Sequence, residues 1–157
     1  MEAVIGIKEE KLAEVGYILS KLLADEFVLY TKTRNAHWNV EGIDFLSKHK
    51  FFEEQYEQLD EIMDNVAERI RTIGEYAPGT LHQFLELTHL TEQARIKNDS
   101  AGFIRELLSD HENVIIYLRE NVSRLADEFK DYGTSDFITQ LMETHEKMAW
   151  FLRAHLG

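Results

Sequence analysis

Apolar residues recur along this chain at alternating steps of three and four, the spacing that keeps one face of an α-helix buried. The cleanest run is Phe45, His49, Phe52, Tyr56, Leu59, Met63, Val66, Ile70 and Ile73, which predicts one long helix stopped at Gly74. A second run, Ile104, Leu108, His111, Ile115, Leu118, Val122, Leu125 and Phe129, lies between Ser100, a residue suited to an N-cap, and Gly133. Ile138, Leu141, His145, Met148 and Leu152 continue the pattern towards the C-terminus. Leu12, Val15, Leu19, Leu22 and Leu23 open an earlier helix, expected to reach about Asn35 before a turn at Glu41-Gly42.

Strand-like alternation is hard to find, so the fold class is all-α. Between the second and third long helices, Tyr76 to Asn98 holds the Pro78-Gly79 turn and an apolar patch, Leu81, Phe84, Leu85 and Leu87. That patch suits a short extra helix in a crossover. Four long helices joined in this order form a ferritin-like four-helix bundle, a layout that says nothing about function without a site.

With 157 residues and 44% apolar content, the chain is sized for a single domain over residues 1–157. It has no cysteine, which excludes a disulfide scaffold and thiolate-ligated metals, and leaves His, Asp and Glu as donors. The net charge of -12 repels phosphate backbones and attracts cations. The opening residues lack a secretory leader pattern and no segment is apolar for long enough to span a bilayer, so a cytoplasmic location is expected.

Two histidines fall near the first helix junction: His37 before the Glu41-Gly42 turn and His49 on the seam of the second helix. A single buried histidine is more often a hydrogen-bonded core residue than a ligand. Carboxylates change the weighing. At roughly 100° per residue, His49, Glu53, Asp64 and Glu68 lie at about 0°, 40°, 60° and 100° around the second helix. Yet His49 and Asp64 are about 22 Å apart along it, at roughly 1.5 Å rise per residue, whereas ligands of such a metal sit at about 2 Å. One helix cannot close the site. An antiparallel copy related by a two-fold axis places Asp64 and Glu68 of one chain opposite His49 and Glu53 of the other. Mixed imidazole and carboxylate donors suit Fe(II) and Fe(III), and zinc or manganese can occupy the same ligands.

The segment Asn35 to Phe45 (NAHWNVEGIDF), followed by His49 and by Asp64 to Ile70 (DNVAERI), resembles the Dps family, the mini-ferritins. Similarity extends over nearly the whole chain, including Thr80 to Leu87 and the ending from His145. The resemblance implies a hollow homododecamer that oxidises Fe(II) with hydrogen peroxide or dioxygen and stores ferric mineral, protecting the cell from oxidative stress. It places His37, His49, Asp64 and Glu68 as inter-subunit ferroxidase ligands able to hold up to two irons. Glu53 stands where many relatives carry Asp. Asp127, Asp131 and Asp136 fall in the region of the family's acidic three-fold pores, with Tyr132 interrupting the cluster. Trp38, beside His37, is a candidate redox-active aromatic.

Two alternatives come from other classes. One is a DNA-condensing stress protein with secondary ferroxidase activity; without a Lys-rich tail and with Lys8 as the first basic residue, direct DNA binding is not expected. The other is a metal-free structural bundle. An intra-bundle di-iron enzyme needs Glu-x-x-His on two long helices, and the one such spacing, Glu86 to His89, sits in the crossover. His111 and His145 are expected to be buried and hydrogen-bonded, and His82, His89 and His155 have no assigned role.

Overall fold

A computed structural model describes residues 4–157. Its long helices are α1 (Glu9–Asn39), α2 (Phe45–Thr72), α4 (Ser100–Ser123) and α5 (Tyr132–Ala154), with the short α3 (Leu81–Leu87) in the crossover from α2 to α4. Helix α1 packs chiefly on α2, and α4 on α5; the two hairpins close over one core. That core includes the expected seam of α2, where Phe52, Leu59, Val66 and Ile70 are fully buried. Among the described residues no strand forms, and the single β-bridge pairs Glu41 with Asp99.

The helix ends explain where sequence reading and structure part. Helix α1 runs to Asn39, beyond the expected end near Asn35, so His37 lies in its last turn. The turn that follows uses Gly42 at φ 132, a backbone conformation open to glycine because it has no Cβ. The Glu41 N–H donates to the Asn98 carbonyl at 2.8 Å, and the Ser100 hydroxyl donates to Asp44 at 2.7 Å. These two bonds tie the α1–α2 turn to the start of α4, and so fix the register of His37 against His49.

Helix α4 is capped by Asp99, whose carboxylate accepts from the Gly102 N–H at 2.9 Å; Ser100 is the first helical residue. Its C-terminal end is not at Gly133. A π-helical turn, Arg124–Glu128, loosens the chain and Lys130 adopts φ 60, so the break precedes Gly133, which sits inside the first turn of α5. Thr80 caps α3 in a reciprocal box with Gln83, the short helix expected in the crossover.

Candidate metal centre

His37 and His49 meet at the turn end of the α1–α2 hairpin, with their rings stacked at a centroid separation of 3.8 Å and 21° between planes. Each donates its Nδ1–H to the other's main chain: His37 to the His49 carbonyl at 2.7 Å, and His49 to the His37 carbonyl at 2.8 Å. A carbonyl oxygen only accepts, so both nitrogens carry their protons. Both rings, when neutral, therefore leave Nε2 unprotonated, the form that a metal requires. The backbone holds the two donors in one orientation without the help of any acidic side chain.

Around this pair the environment is aromatic and cationic on one side. Phe45 lies 5.2 Å from the His49 ring, and Tyr56 stands edge-on to His37 at 5.2 Å. The Tyr56 hydroxyl donates to Glu53 Oε1 at 3.4 Å. The Arg34 guanidinium covers the Tyr56 ring at 4.3 Å. Burial, followed by the Glu53 charge, raises the Tyr56 phenol above its ordinary range, so it stays protonated at neutral pH.

Asp64 and Glu68 are exposed on the same helix, fifteen and nineteen residues beyond His49, or roughly 22 Å and 28 Å along the axis at about 1.5 Å per residue. Among the described residues no three His, Asp or Glu side chains of one chain converge on a metal-sized point. Helix α2 thus carries His49, beside His37, near one end and the exposed pair Asp64 and Glu68 towards the other.

Asp131 departs from the expected pore set. It is 3% exposed; its carboxylate accepts from the Thr134 N–H at 2.9 Å and from the Thr134 hydroxyl at 2.6 Å, and pairs with Arg69 at 3.3 Å. It is the N-cap of α5, committed to the fold. Asp127 and Asp136 are exposed. Trp38, the expected redox aromatic, is 63% exposed and lies under Arg34 at 5.2 Å.

Two polar clusters escaped the sequence reading. Glu26, His145 and His111 form a fully buried chain across α1, α5 and α4, with His145 Nε2 2.8 Å from Glu26 Oε1 and its Nδ1 2.9 Å from His111 Nδ1. Burial, and then the neighbouring His145, hold His111 well below the ordinary imidazole range. The visible signal was Glu26 itself, an acid on the apolar seam of Leu19, Leu22 and Leu29. The second cluster is buried Asp25, which accepts from the Thr88 hydroxyl at 2.7 Å, the His89 N–H at 2.6 Å and His89 Nδ1 at 3.0 Å. Glu86 pairs instead with His82, so the Glu86–His89 spacing forms no unit.

A model of the ferritin-like domain matches residues 17–157. The chain is 44% identical over 152 residues to an uncharacterized low temperature-induced protein of Nostoc sp., covering 97% of this chain and 85% of that protein. It is 34% identical over 140 residues to the DNA protection during starvation protein of Helicobacter pylori, covering 89% and 96%. The crystal structure of a Dps protein from Vibrio cholerae, described as a member of the ferritin-like diiron-carboxylate superfamily, superposes with a TM-score of 0.92 at 29% identity, over 99% of this chain and 97% of that one. This chain is a ferritin-like protein of the Dps family. Membership in the Dps family matches the helix order, with the short α3 between the two hairpins. Among the described residues no helix is long and apolar enough to cross a membrane.

Proposed function

We propose that this Dps-family chain is a ferroxidase that detoxifies and stores iron at a site shared between two subunits. One observation carries the reading: the mutual backbone hydrogen bonds of His37 and His49, which leave both Nε2 atoms free, while the acids they need lie out of reach on the same helix. An antiparallel dimer brings Asp64 and Glu68 of one chain to His37, His49 and Glu53 of the other, giving two equal sites per dimer.

Iron is the substrate. Imidazole and carboxylate donors hold Fe(II) and, because carboxylates favour the harder ion, stabilise the Fe(III) formed when hydrogen peroxide or dioxygen takes electrons from it. Glu53 reaches further than the Asp of many relatives and serves a second iron. Zinc or manganese competes for the same donors. Fe(II) enters past Asp127 and Asp136 and the ferric product collects as mineral inside a closed dodecamer, so that peroxide and free Fe(II) are removed together. The relatives' names speak of DNA protection; with a net charge of -12, protection here comes through iron chemistry rather than through coating DNA.

The test is iron oxidation by peroxide, native chain against the double variant His37→Ala with Asp64→Ala. The reading expects the variant to fall to the rate of protein-free solution, and equal rates would refute it.

A further inference from the structure

The sequence points to Trp38 as the aromatic nearest to His37, but the fold brings a different ring to the site. Tyr56 stands edge-on to His37 at 5.2 Å and hydrogen-bonds Glu53 at 3.4 Å. It is partly buried, with Arg34 across its face at 4.3 Å and Tyr30 edge-on at 6.1 Å. Trp38 is 63% exposed, and its ring lies beneath the Arg34 guanidinium at 5.2 Å.

Those positions decide which ring can lose an electron usefully. Oxidising Trp38 creates an indole cation radical next to a guanidinium, a like-charge pair that opposes the step. Oxidising Tyr56 beneath the same guanidinium avoids that penalty, because the phenol releases its proton as the electron leaves and the product is neutral. Glu53 already accepts the hydrogen bond along which that proton departs. The edge-to-face contact with His37 gives the electron a direct path to iron held by that imidazole.

Resting on the ferroxidase reading, we propose that Tyr56 supplies the second electron when peroxide meets a site holding only one Fe(II). Peroxide needs two electrons for clean reduction, and one Fe(II) gives one. Without a second donor, cleavage of the O–O bond leaves a hydroxyl radical. With Tyr56 as donor, Fe(II), hydrogen peroxide and the phenol yield Fe(III), a neutral phenoxyl radical, one water and one hydroxide. The phenolic hydrogen ends in water, and both oxygen atoms of peroxide are fully reduced. The phenoxyl radical is then held in the protein under Arg34, beside Tyr30, and not released as a diffusing oxidant.

The experiment loads the assembled protein with less than one Fe(II) per site, mixes it with hydrogen peroxide, freezes the sample and records its radical spectrum. Ferric absorbance and spin-trapped hydroxyl radical are read in parallel. Native protein is expected to show a tyrosine-type radical whose lines narrow when ring-deuterated tyrosine is incorporated. Tyr56→Phe is expected to lose that signal and to release severalfold more trapped hydroxyl radical, whereas Trp38→Phe keeps the native spectrum. An unchanged assembly size and thermal midpoint in Tyr56→Phe separate redox loss from misfolding. A native-like tyrosyl signal in Tyr56→Phe, or its loss in Trp38→Phe, overturns the proposal while native ferric formation leaves the ferroxidase reading standing. Native protein that forms no ferric product under peroxide overturns both.

Discussion

His37 and His49 show how little side-chain chemistry is needed to orient a pair of imidazoles. Each imidazole is oriented by a main-chain carbonyl of the other's residue, so the tautomer is set by backbone geometry and not by a titratable partner. Their proximity was legible in the sequence from the seam of α2 and the Glu41-Gly42 turn. The mutual hydrogen bonds were not, because they depend on the turn being tied to Asn98 and Ser100, residues some sixty positions away. Asp131 teaches the opposite lesson at the same scale. In sequence it is one more acid in a cluster, and only its burial against Thr134 and Arg69 shows a cap. Asp131→Ala is therefore expected to destabilise the fold by about 1–2 kcal/mol, the ordinary cost of losing an N-cap, read as a lower thermal midpoint. Asp127→Asn with Asp136→Asn is expected to slow iron uptake at unchanged thermal midpoint, and uptake slowed only by Asp131→Ala would reverse these assignments.

At the scale of elements, α1, α4 and α5 are joined by the buried chain of Glu26, His111 and His145. Helical periodicity placed both histidines on buried faces, as found. It could not pair them, since which seams face each other across a bundle is decided by tertiary packing. The same limit explains the missed break at Lys130: a π-helical turn carries no glycine or proline signal, while Gly133 offered a false one. The cluster also has a consequence for acid stability. His111 is held well below 6.5 in the folded chain by burial and by His145, so the unfolded chain takes up a proton first as pH falls. Its contribution is fully present above pH 6.5 and is lost below it, by up to about 1.4 kcal/mol per pH unit for one such group. Urea unfolding midpoints should fall from pH 7 to pH 5, and His111→Leu should flatten that dependence even if it lowers stability throughout. An unaltered slope in the variant would place the titrating group elsewhere.

Over the whole molecule, the sequence disclosed more about the fold than about the shape of the site. Fold class and helix order followed from periodicity, since an amphipathic stripe specifies what a helix must bury. The distance from His49 to Asp64 along one helix is a matter of residue count, so their separation was legible in the sequence. The structure adds that, among the described residues, no three His, Asp or Glu side chains gather at one point.

Sharing between subunits is tested most directly by complementation. One variant, His37→Ala with His49→Ala, keeps its acids; a second, Asp64→Ala with Glu68→Ala, keeps its histidines. Each assembled alone is expected to bind and oxidise no iron at the site. Unfolded together in equal amounts and reassembled, half of the dimers are mixed, and each mixed dimer regains one of its two sites. The account predicts recovery of roughly a quarter of the native sites in an anaerobic Fe(II) titration, as expected for an isologous two-fold. No recovery in a mixture shown to have co-assembled would contradict it, because ligands drawn from a single chain cannot be exchanged by mixing.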